Sequence, residues 1–576
     1  MITNYWHRFK LLLLFINMVR QFFTNSARLL FRRQSTIISA ASIMMVLVLA
    51  SRVLGLVRNR FLTHYFPLEE LDAYAAAFVA PDFVAELLII GTLSVAFIPV
   101  FTTYLNKRDE KEGWKIASSI LNISLLGYIS VATIVFIFAH PIIEKLIVPG
   151  FGPRVISETV SLTRVILLGQ VLLIIGSFFT SVLQSFHRFI IPAIAPVLYN
   201  LGIILGALWL RPFLGLSGVA WGVVLGAFLH LAVQYFLVRK FGFKYKFEFR
   251  FRDPGVRRII NLSLPRVAGI ALAKSEWWVS VFLSSLLVRG STATLRFAAD
   301  IQNLPIGLFG ITFATAALPT LSAEWANKRP EDFKTTFLAT LHQVLYLTVP
   351  LSVLLMVLRI PVVRIMYGSG FFDWSATVAT AVTTSYFAIG IFAQSGFLLL
   401  IRAFYSLHDA ATPLKVAVAS LAFHVSVSSV FIFWLAPKVF IPAALLGLSA
   451  SFTGILSFVI LLYLLDRKVG HFDRQKLFYP AAKIFFSAAL MGILLYIPLH
   501  IKLNGAYVID HIIDTTRVFN LLVLTGLAFV AGLAIYVWLT WWLKSDELRS
   551  FIRLLPDMRR FQKLLAVQEK IDSGNS

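Results

Sequence analysis

The chain has 576 residues, of which 58% are hydrophobic and only 14% are charged, and its mean hydropathy is +0.81. This composition excludes a soluble globular protein and indicates helices that cross a membrane repeatedly. The absence of cysteine excludes disulfides, thiolate metal sites and thiol nucleophiles, and the 11 histidines show no metal-ligand spacing. We assign the net charge of +24 to cytoplasmic loops that face anionic lipid, and not to nucleic-acid binding.

Residues 1–35 form a basic extension before the first predicted span. The apolar run at 10–20 is too short to cross a bilayer, it is flanked by arginines, and no small-residue cleavage site follows it. This pattern predicts a basic interfacial helix that lies on the inner leaflet. The basic tail at 544–576 has the same character.

Fourteen apolar segments are long enough to be transmembrane helices. They lie near 36–64, 72–104, 115–139, 158–186, 191–210, 214–238, 259–288, 292–325, 335–358, 375–404, 412–435, 440–465, 478–499 and 517–543. With the amino terminus inside, the cytoplasmic segments hold 36 Lys plus Arg and the outer loops hold 9. This asymmetry follows the positive-inside rule. We therefore predict an all-α polytopic membrane protein of about 14 helices with both termini in the cytoplasm.

Landmarks in the first half of the chain recur in the second half. Pro99 matches Pro319, the run from Pro141 to Gly150 matches 361–370, Pro192 matches Pro413, and Arg239 matches Arg467, at an offset that rises only slightly along the chain. The preserved spacing predicts two pseudo-symmetric six-helix lobes, at 36–240 and 259–468, joined by a basic cytoplasmic linker at 241–258. Two further helices at 469–543 lie outside the repeat. This is the layout of a transporter with a cavity between its lobes.

Two arginines lie inside the first predicted span, in the sequence Ser51-Arg-Val-Leu-Gly-Leu-Val-Arg58. A cation at bilayer depth costs from roughly 3 to over 10 kcal/mol, so such residues face a watery cavity or a partner. Arg52 and Arg58 are six residues apart, hence about 9 Å along the helix axis and about 120° in azimuth. They mark a route for an anion. The alternative for Arg58 is that it snorkels with Arg60 to the outer headgroups.

Acidic residues follow in the second span. Asp72 lies at its outer end, and Asp82 and Glu86 share one helical face. These carboxylates are either counter-ions for the arginines of the first span or a site for proton or cation coupling. Pro81 and Gly91 predict a break or bend in this helix.

Further cations lie in the second repeat. Arg266 and Lys274 occupy one broad face of the seventh span. In the eighth span Arg296 and Asp300 have the i, i+4 spacing of an intrahelical ion pair, which is the alternative to substrate binding by Arg296. Guanidinium groups match the geometry of phosphate oxygens, so these cations fit a phosphate-bearing substrate.

No catalytic constellation and no nucleotide-binding GxxxxGK[ST] loop is present in the sequence, so we expect neither an enzyme nor direct use of ATP. We expect no cofactor. Energy for transport would come from the membrane potential, from a gradient of a monovalent cation, or from downstream consumption of the product.

Several short motifs between residues 36 and 543 carry a family resemblance. They are Ser51–Arg58, Asp72–Ala73, Ala96–Pro99, Phe186–Pro192, Leu304–Gly307, Leu318–Ser322, Tyr367–Phe371, Phe404–Asp409 and Thr412–Pro413. In these motifs the chain resembles the MurJ (MviN) family of lipid II flippases, within the multidrug/oligosaccharidyl-lipid/polysaccharide exporter superfamily.

The resemblance implies a V-shaped pair of lobes with a cationic central cavity. It also implies that the last two spans form a groove for the polyprenyl tail of the substrate. Arg52 and Arg58 match arginines that meet the lipid II diphosphate, and Asp72 matches a commonly acidic position. Two departures concern the substrate site. Ala85 stands where the family usually has arginine in the second span, and Asp300 stands where it usually has arginine in the eighth.

The expected function is therefore that of a lipid II flippase. It would move the undecaprenyl-diphosphate-linked peptidoglycan precursor from the inner to the outer leaflet of the bacterial cytoplasmic membrane by alternating access, for cell wall biogenesis. The expected substrate-binding residues are Arg52, Arg58, Arg266, Lys274 and Arg296, and the expected gating or charge-balancing residues are Asp72, Asp82, Glu86 and Asp300. The expected partners are lipid II and anionic lipids at the basic loops, with the protein acting as a monomer.

Three other functions stay open. One is the export of another lipid-linked oligosaccharide, such as an O-antigen, capsule or teichoic-acid unit. A second is ion-coupled drug antiport on the same fold, in which Asp82 and Glu86 would carry the coupling. The third is a scaffold that has lost transport, which the two departures from the family pattern would allow.

Overall fold

The computed structural model describes residues 37–88, 97–106, 110–186, 188–243, 245–500, 502–503, 506–507 and 518–549. The interfacial helix predicted within 1–35, Gly91, and the tail from residue 550 onwards lie outside the described residues. The described residues are almost entirely helical, apart from the short antiparallel pair of strands β1 (Lys502–Leu503) and β2 (Ala506–Tyr507). The prediction of an all-α membrane protein is confirmed.

The helices of the first half of the chain are α1 (Ile37–Tyr65), α2 (Leu68–Ala77), α3 (Val79–Leu88), α4 (Ile98–Asn106), α5 (Glu110–Ile137), α6 (Ala139–Ile142), α7 (Pro153–Ser185), α8 (Ile190–Leu205), α9 (Arg211–Leu214), α10 (Leu216–Lys240) and α11 (Pro254–Ser285). Two π-helical turns, Ile143–Ile147 and Gly206–Leu210, lie among them.

The helices of the second half are α12 (Ser291–Pro305), α13 (Thr312–Ala326), α14 (Pro330–Val357), α15 (Arg359–Tyr367), α16 (Trp374–Ile389), α17 (Ile391–Ser406), α18 (Ala411–Val430), α19 (Ala443–Lys468), α20 (Arg474–His500) and α21 (Val518–Trp542). Two further π-helical turns, Ile306–Ile311 and Phe431–Leu435, and the 3-10 turn Ala436–Lys438 join them.

The internal repeat is visible in the helix boundaries. Helices α5 and α14 have the same length, so both ends of α14 follow those of α5 at one offset. The pair α16–α17 begins and ends at almost the same offset from α7, and α19 follows α10 at a slightly larger one. The offset between equivalent helices rises along the chain as it does between the matched residues in the sequence. The matched prolines and glycines therefore lie in or beside equivalent helices.

The chain divides into two compact units. The first contains residues 1–62, 77–142 and 157–271, and the second contains residues 63–76, 143–156 and 272–576. Two segments of the first repeat, Thr63–Ala76 and Ile143–Ile156, therefore belong to the second unit. Helices α1, α7 and α11 each contribute residues to both units.

Each unit has its own hydrophobic core. In the first unit the core is rich in aromatic rings, with Phe101 between Phe97 and Trp114. In the second unit the core is built from α13, α14, α17, α19, α20 and α21. Both α20 and α21 contribute buried residues to this core. The Tyr536 hydroxyl on α21 also donates to the carbonyl of Tyr346 on α14 at 3.0 Å.

The predicted break in the second span is present, and its position has a simple cause. Helix α2 ends at Ala77 and α3 begins at Val79. Pro81 has no N–H to donate to the carbonyl of Ala77, four residues earlier, and its ring crowds that carbonyl. The helix therefore breaks at Phe78, one turn before the proline.

Within the described residues, ten helices are long and apolar enough to cross a membrane, and the pair α16–α17, bent by 43°, makes an eleventh if it is one span. The predicted spans at 36–64, 72–104 and 259–288 have no counterpart in that set. Parts of the first two predicted spans lie outside the described residues, and the second span is divided between the short helices α2, α3 and α4. The total of fourteen and the location of the termini stay predictions.

Candidate functional site

Helix α1 presents Arg58 in a defined orientation. Its Nη1 donates to Asn200 Oδ1 at 3.0 Å, and its Nε and Nη2 donate to Asn59 Oδ1 at 3.1 and 2.9 Å. Asn200 is buried on α8, and its own amide nitrogen donates to the carbonyls of Pro196 at 3.0 Å and Ser51 at 3.4 Å. The guanidinium is therefore fixed by a buried amide, yet it remains half-buried and open on one side.

Arg52 has a different environment on the same helix. Its side chain is exposed, and its guanidinium makes no hydrogen bond or ion pair with the part of the chain that the structure describes. Arg52 can therefore reorient towards an anion, whereas Arg58 is already oriented. The first unit thus combines an exposed cation and a cation held by hydrogen bonds, about one and two-thirds turns apart.

The acidic pair of α3 lies in the same unit. Asp82 Oδ1 accepts a hydrogen bond from Gln170 Nε2 on α7 at 2.6 Å. Glu86 follows one turn later and is half-buried. Ala85, which stands at a usual arginine position of the family, is buried.

Asp72 lies in the second unit, where it caps a helix that is distant in sequence. Its carboxylate accepts hydrogen bonds from the backbone N–H groups of Gly290 at 2.5 Å and Ala293 at 2.7 Å. These groups form the amino terminus of α12, and Gly290 has a φ of +86° and no side chain with which to cap the helix. A carboxylate at a helix amino terminus is favourable for hydrogen bonding and for the helix dipole. Asp72 therefore supplies the missing cap from 218 residues away.

Two further contacts join the segment Thr63–Ala76 of the first repeat to residues of the second repeat. Glu69 and Arg289 form an exposed ion pair at 3.0 Å. Thr63 Oγ1 donates to the carbonyl of Tyr367 at 2.8 Å. The segment Thr63–Ala76 is thus held within the second unit by polar contacts around one buried carboxylate and by buried apolar side chains such as Leu71.

The remaining candidate cations are divided between the units. Arg266 belongs to the first unit and Lys274 to the second, although both are on α11; the side chain of Arg266 lies outside the described residues. Lys274 is half-buried. Arg296 and Asp300 form the predicted i, i+4 ion pair, with Nε and Oδ1 3.4 Å apart.

Sequence reasoning missed the polar residues that orient the charges. Asn200 and Gln170 are amides in helices that are otherwise strongly apolar, and that contrast was the available signal. The pairing of Asp72 with Gly290 had no signal in the sequence, because capping by a distant segment follows no local pattern. No cluster of three or more metal-ligating side chains is present among the described residues.

Comparisons with known proteins define the class first. The fold matches a solved "Lipid II flippase MurJ, inward closed conformation" with a TM-score of 0.71 at 20% identity, covering 87% of this chain and 99% of that one. It also matches an inward-facing multidrug resistance MATE family transporter of the MOP superfamily with a TM-score of 0.62 at 13% identity, covering 75% of this chain and 98% of that one. This chain therefore shares the fold of these two solved proteins.

The family follows from sequence. The family model "Lipid II flippase MurJ" matches residues 69–515. Two curated relatives, each described as a probable lipid II flippase MurJ, come from Buchnera aphidicola and Haemophilus influenzae. Each is 26% identical to this chain, the former covering 72% of this chain and 81% of the relative, the latter 65% and 77%. The chain belongs to the lipid II flippase MurJ family, whose members are transporters of the bacterial inner membrane and not enzymes.

Proposed function

We propose that this protein moves lipid II from the inner to the outer leaflet of the cytoplasmic membrane by alternating access. The single observation that carries the proposal is the family match across residues 69–515. The sequence supports it, since arginines lie within predicted membrane spans, where an anionic headgroup needs them.

In this proposal the diphosphate is first met by Arg52 and then held by Arg58. The fixed orientation of Arg58 lowers the entropy lost on binding, because Asn200 and Asn59 already hold the guanidinium in place. Arg266, Lys274 and Arg296 add positive charge at other stages. Arg296 can serve only when the anion displaces Asp300, so its ion pair makes it the weakest candidate of the set.

We further propose that Asp72 is a gating residue. The contacts that hold Thr63–Ala76 in the second unit include the two backbone N–H bonds that Asp72 accepts, an exposed ion pair, and buried apolar side chains such as Leu71. In this proposal the cap made by Asp72 breaks and re-forms during the transport cycle. Asp82, Glu86 and Asp300 balance charge near the substrate cations.

The polyprenyl tail is proposed to travel along α20 and α21. Both helices carry large apolar side chains at exposed positions, among them Phe486, Ile493, Phe519 and Val530. Such a surface suits contact with hydrocarbon. The energy source in the proposal is the membrane potential or a monovalent cation, and the protein acts as a monomer.

The proposal is tested by complementation of a bacterium depleted of its own lipid II flippase. Wild-type protein should restore growth and peptidoglycan synthesis, Arg52→Lys should restore them in part, and Arg52→Glu should fail although it reaches the membrane in equal amount. Restoration by Arg52→Glu would contradict the assigned role of Arg52. Failure of the wild type, combined with rescue of a strain that lacks an O-antigen or capsule exporter, would replace lipid II with another lipid-linked sugar.

A further inference from the structure

The segment that joins α10 to α11 is an extended chain with two distinct faces. Residues Tyr245–Arg250 have no regular secondary structure and alternate between aromatic and charged side chains. In an extended chain, alternate side chains point to opposite faces. Tyr245, Phe247 and Phe249 therefore share one face, and Phe251, in the turn that follows, stacks on Phe249. We call these four residues the aromatic stripe.

Hydrogen bonds hold this segment along helix α5. The backbone N–H groups of Lys246 and Arg250 donate to Ser118 Oγ and Ser119 Oγ at 3.3 and 2.8 Å. Asn122 Nδ2 donates to the carbonyls of Lys246 and Glu248, both at 3.0 Å. These backbone contacts all involve even-numbered residues of the segment, as expected when one edge of an extended chain lies on a helix.

The charged side chains of the segment form ion pairs with one another and with helix α5. Arg250 contacts both Glu112 on α5 and Glu248 in the segment, and Lys246 lies 3.9 Å from Glu248. All of these residues belong to the first unit. The ion pairs and the backbone bonds therefore fix the register of the segment, and with it the direction of the aromatic stripe.

The aromatic stripe is largely exposed, although the Tyr245 hydroxyl donates to Asn122 Oδ1 on α5 at 2.8 Å. Phe247 is 77% exposed, and the other three side chains are between 38% and 54% exposed. The rings of Phe247 and Phe249 are 5.2 Å apart edge to face, and those of Phe249 and Phe251 are stacked at 6.1 Å. Four adjacent exposed aromatic rings form an apolar surface that is unfavourable in water.

The position of the segment and the basic residues beside it indicate which kind of molecule covers the aromatic stripe. The segment connects a helix that is long and apolar enough to cross a membrane, which ends at Lys240, with the helix of the seventh predicted span, which begins at Pro254. The predicted topology therefore puts the segment at the membrane boundary. Aromatic rings favour that boundary, and basic residues near it are attracted to anionic headgroups. The exposed basic residues flanking the aromatic stripe are Arg239, Lys240, Arg252, Arg257 and Arg258.

We propose that the aromatic stripe inserts into the headgroup region of the inner leaflet and that anionic phospholipid holds it there. The linker is then a lipid-binding anchor that ties the cytoplasmic end of the first unit to the membrane surface. The proposal depends on the predicted cytoplasmic side of this linker, and it is independent of which lipid-linked substrate is carried.

The absence of cysteine from the chain allows a clean test. Single variants Phe247→Cys and Phe249→Cys carry a nitroxide label on the aromatic stripe, and Lys246→Cys, on the opposite face, is the matched control. The full chain is reconstituted into vesicles of phosphatidylethanolamine with phosphatidylglycerol, and relaxation of each label by oxygen and by a water-soluble nickel chelate is measured. Labels at 247 and 249 should be relaxed severalfold more by oxygen than by nickel, and the control label should show the reverse.

Two outcomes would overturn the proposal. Stronger relaxation by nickel at 247 and 249 would place the aromatic stripe in water. Protection of both labels from oxygen and nickel would mean that protein covers it, either another part of this chain or a second copy.

A second measurement tests the role of lipid charge. The midpoint of thermal unfolding of the wild type should rise when phosphatidylglycerol is added to phosphatidylcholine vesicles. In the double variant Phe247→Ser, Phe249→Ser, which keeps every backbone bond to α5, this rise should be smaller. An equal rise in both proteins would contradict lipid binding by the aromatic stripe. Neither measurement uses transport, so the outcome is separable from that of the flippase proposal.

Discussion

Arg58 and Arg52 lie on one helix, but the residues around them give them different capacities. Arg58 is held by Asn200 and Asn59, whereas Arg52 is exposed. A fixed guanidinium selects for the geometry of its ligand, and an exposed one captures charge over a wider range of positions. The effect of losing Asn200 separates these roles.

We expect Asn200→Ala to lower the free energy of unfolding by about 1–3 kcal/mol, because it removes a buried amide that accepts from Arg58 and donates to the carbonyl of Pro196. It should also weaken lipid II binding while leaving Arg52 in place. Asn261→Ala on α11 is the control, since Asn261 is an exposed helical asparagine. The measurements are thermal unfolding in detergent and binding of lipid II to purified protein. Equal behaviour of the two variants would show that Asn200 does not position Arg58.

At the scale of single residues, the sequence predicted the charged residues of the site but not the side chains that orient them. The cost of an in-span cation singled out Arg52 and Arg58, and the i, i+4 spacing predicted the pair of Arg296 with Asp300 that the structure contains. Asn200 lies 142 residues from Arg58, and its contact depends on how α8 packs against α1. Such packing is not encoded in any local pattern.

At the scale of helices, the capping of α12 by Asp72 couples two distant segments. We expect Asp72→Ala to cost about 0.5–2 kcal/mol of stability, as the loss of an amino-terminal cap does. Asp373 offers a matched control, because it caps its own helix α16 by accepting from the N–H of Ala376 at 2.8 Å. Both variants should lose similar stability, but only Asp72→Ala should impair lipid II export in cells. Equal impairment by both would assign the defect to stability alone and contradict the gating role.

The internal repeat supplies a second matched pair of positions. Gly390 separates α16 from α17, and Gly169, its equivalent in the first repeat, lies inside the continuous helix α7. A Cβ on Gly390 would lie 2.7 Å from the Cα of Ser451 on α19, whereas one on Gly169 would make ordinary contact at 3.5 Å from the Cα of Val224. The two equivalent glycines therefore have different packing constraints.

We expect Gly390→Ala to destabilise the protein by about 1–3 kcal/mol, because α17 and α19 would have to separate. Gly169→Ala should be nearly neutral or stabilising by up to about 1 kcal/mol, since alanine favours a helix interior over glycine. Thermal unfolding of the two variants in the same detergent decides between these outcomes. A larger loss for Gly169→Ala than for Gly390→Ala would contradict the packing described.

Helix organisation was the part most accessible from sequence. Proline and glycine act on the local backbone, so their spacing predicted the repeat, and Pro81 predicted the break that occurs at Phe78. Contacts made by extended segments were inaccessible. The linker at 245–250 lies on Ser118, Ser119 and Asn122 of α5, and nothing in either segment alone specifies that pairing.

At the scale of the whole molecule, the division into units does not follow the repeat. Segments Thr63–Ala76 and Ile143–Ile156 of the first repeat pack within the second unit. Gly150 N–H donates to Ser285 Oγ at 3.2 Å, and Trp278 Nε1 donates to the carbonyl of Leu146 at 2.8 Å. Buried apolar side chains such as Leu71 and Ile147 add to these polar contacts within the second unit.

The central claim is that this chain moves lipid II and that Arg52 is needed for it. The most direct test is transfer of fluorescent lipid II between leaflets of vesicles that contain the purified protein, followed by loss of fluorescence to a membrane-impermeant quencher. Wild-type vesicles should transfer the lipid faster than protein-free vesicles, Arg52→Lys should retain part of that rate, and Arg52→Glu should fall to the protein-free rate. Equal rates for wild-type and protein-free vesicles, or full activity of Arg52→Glu, would contradict the account.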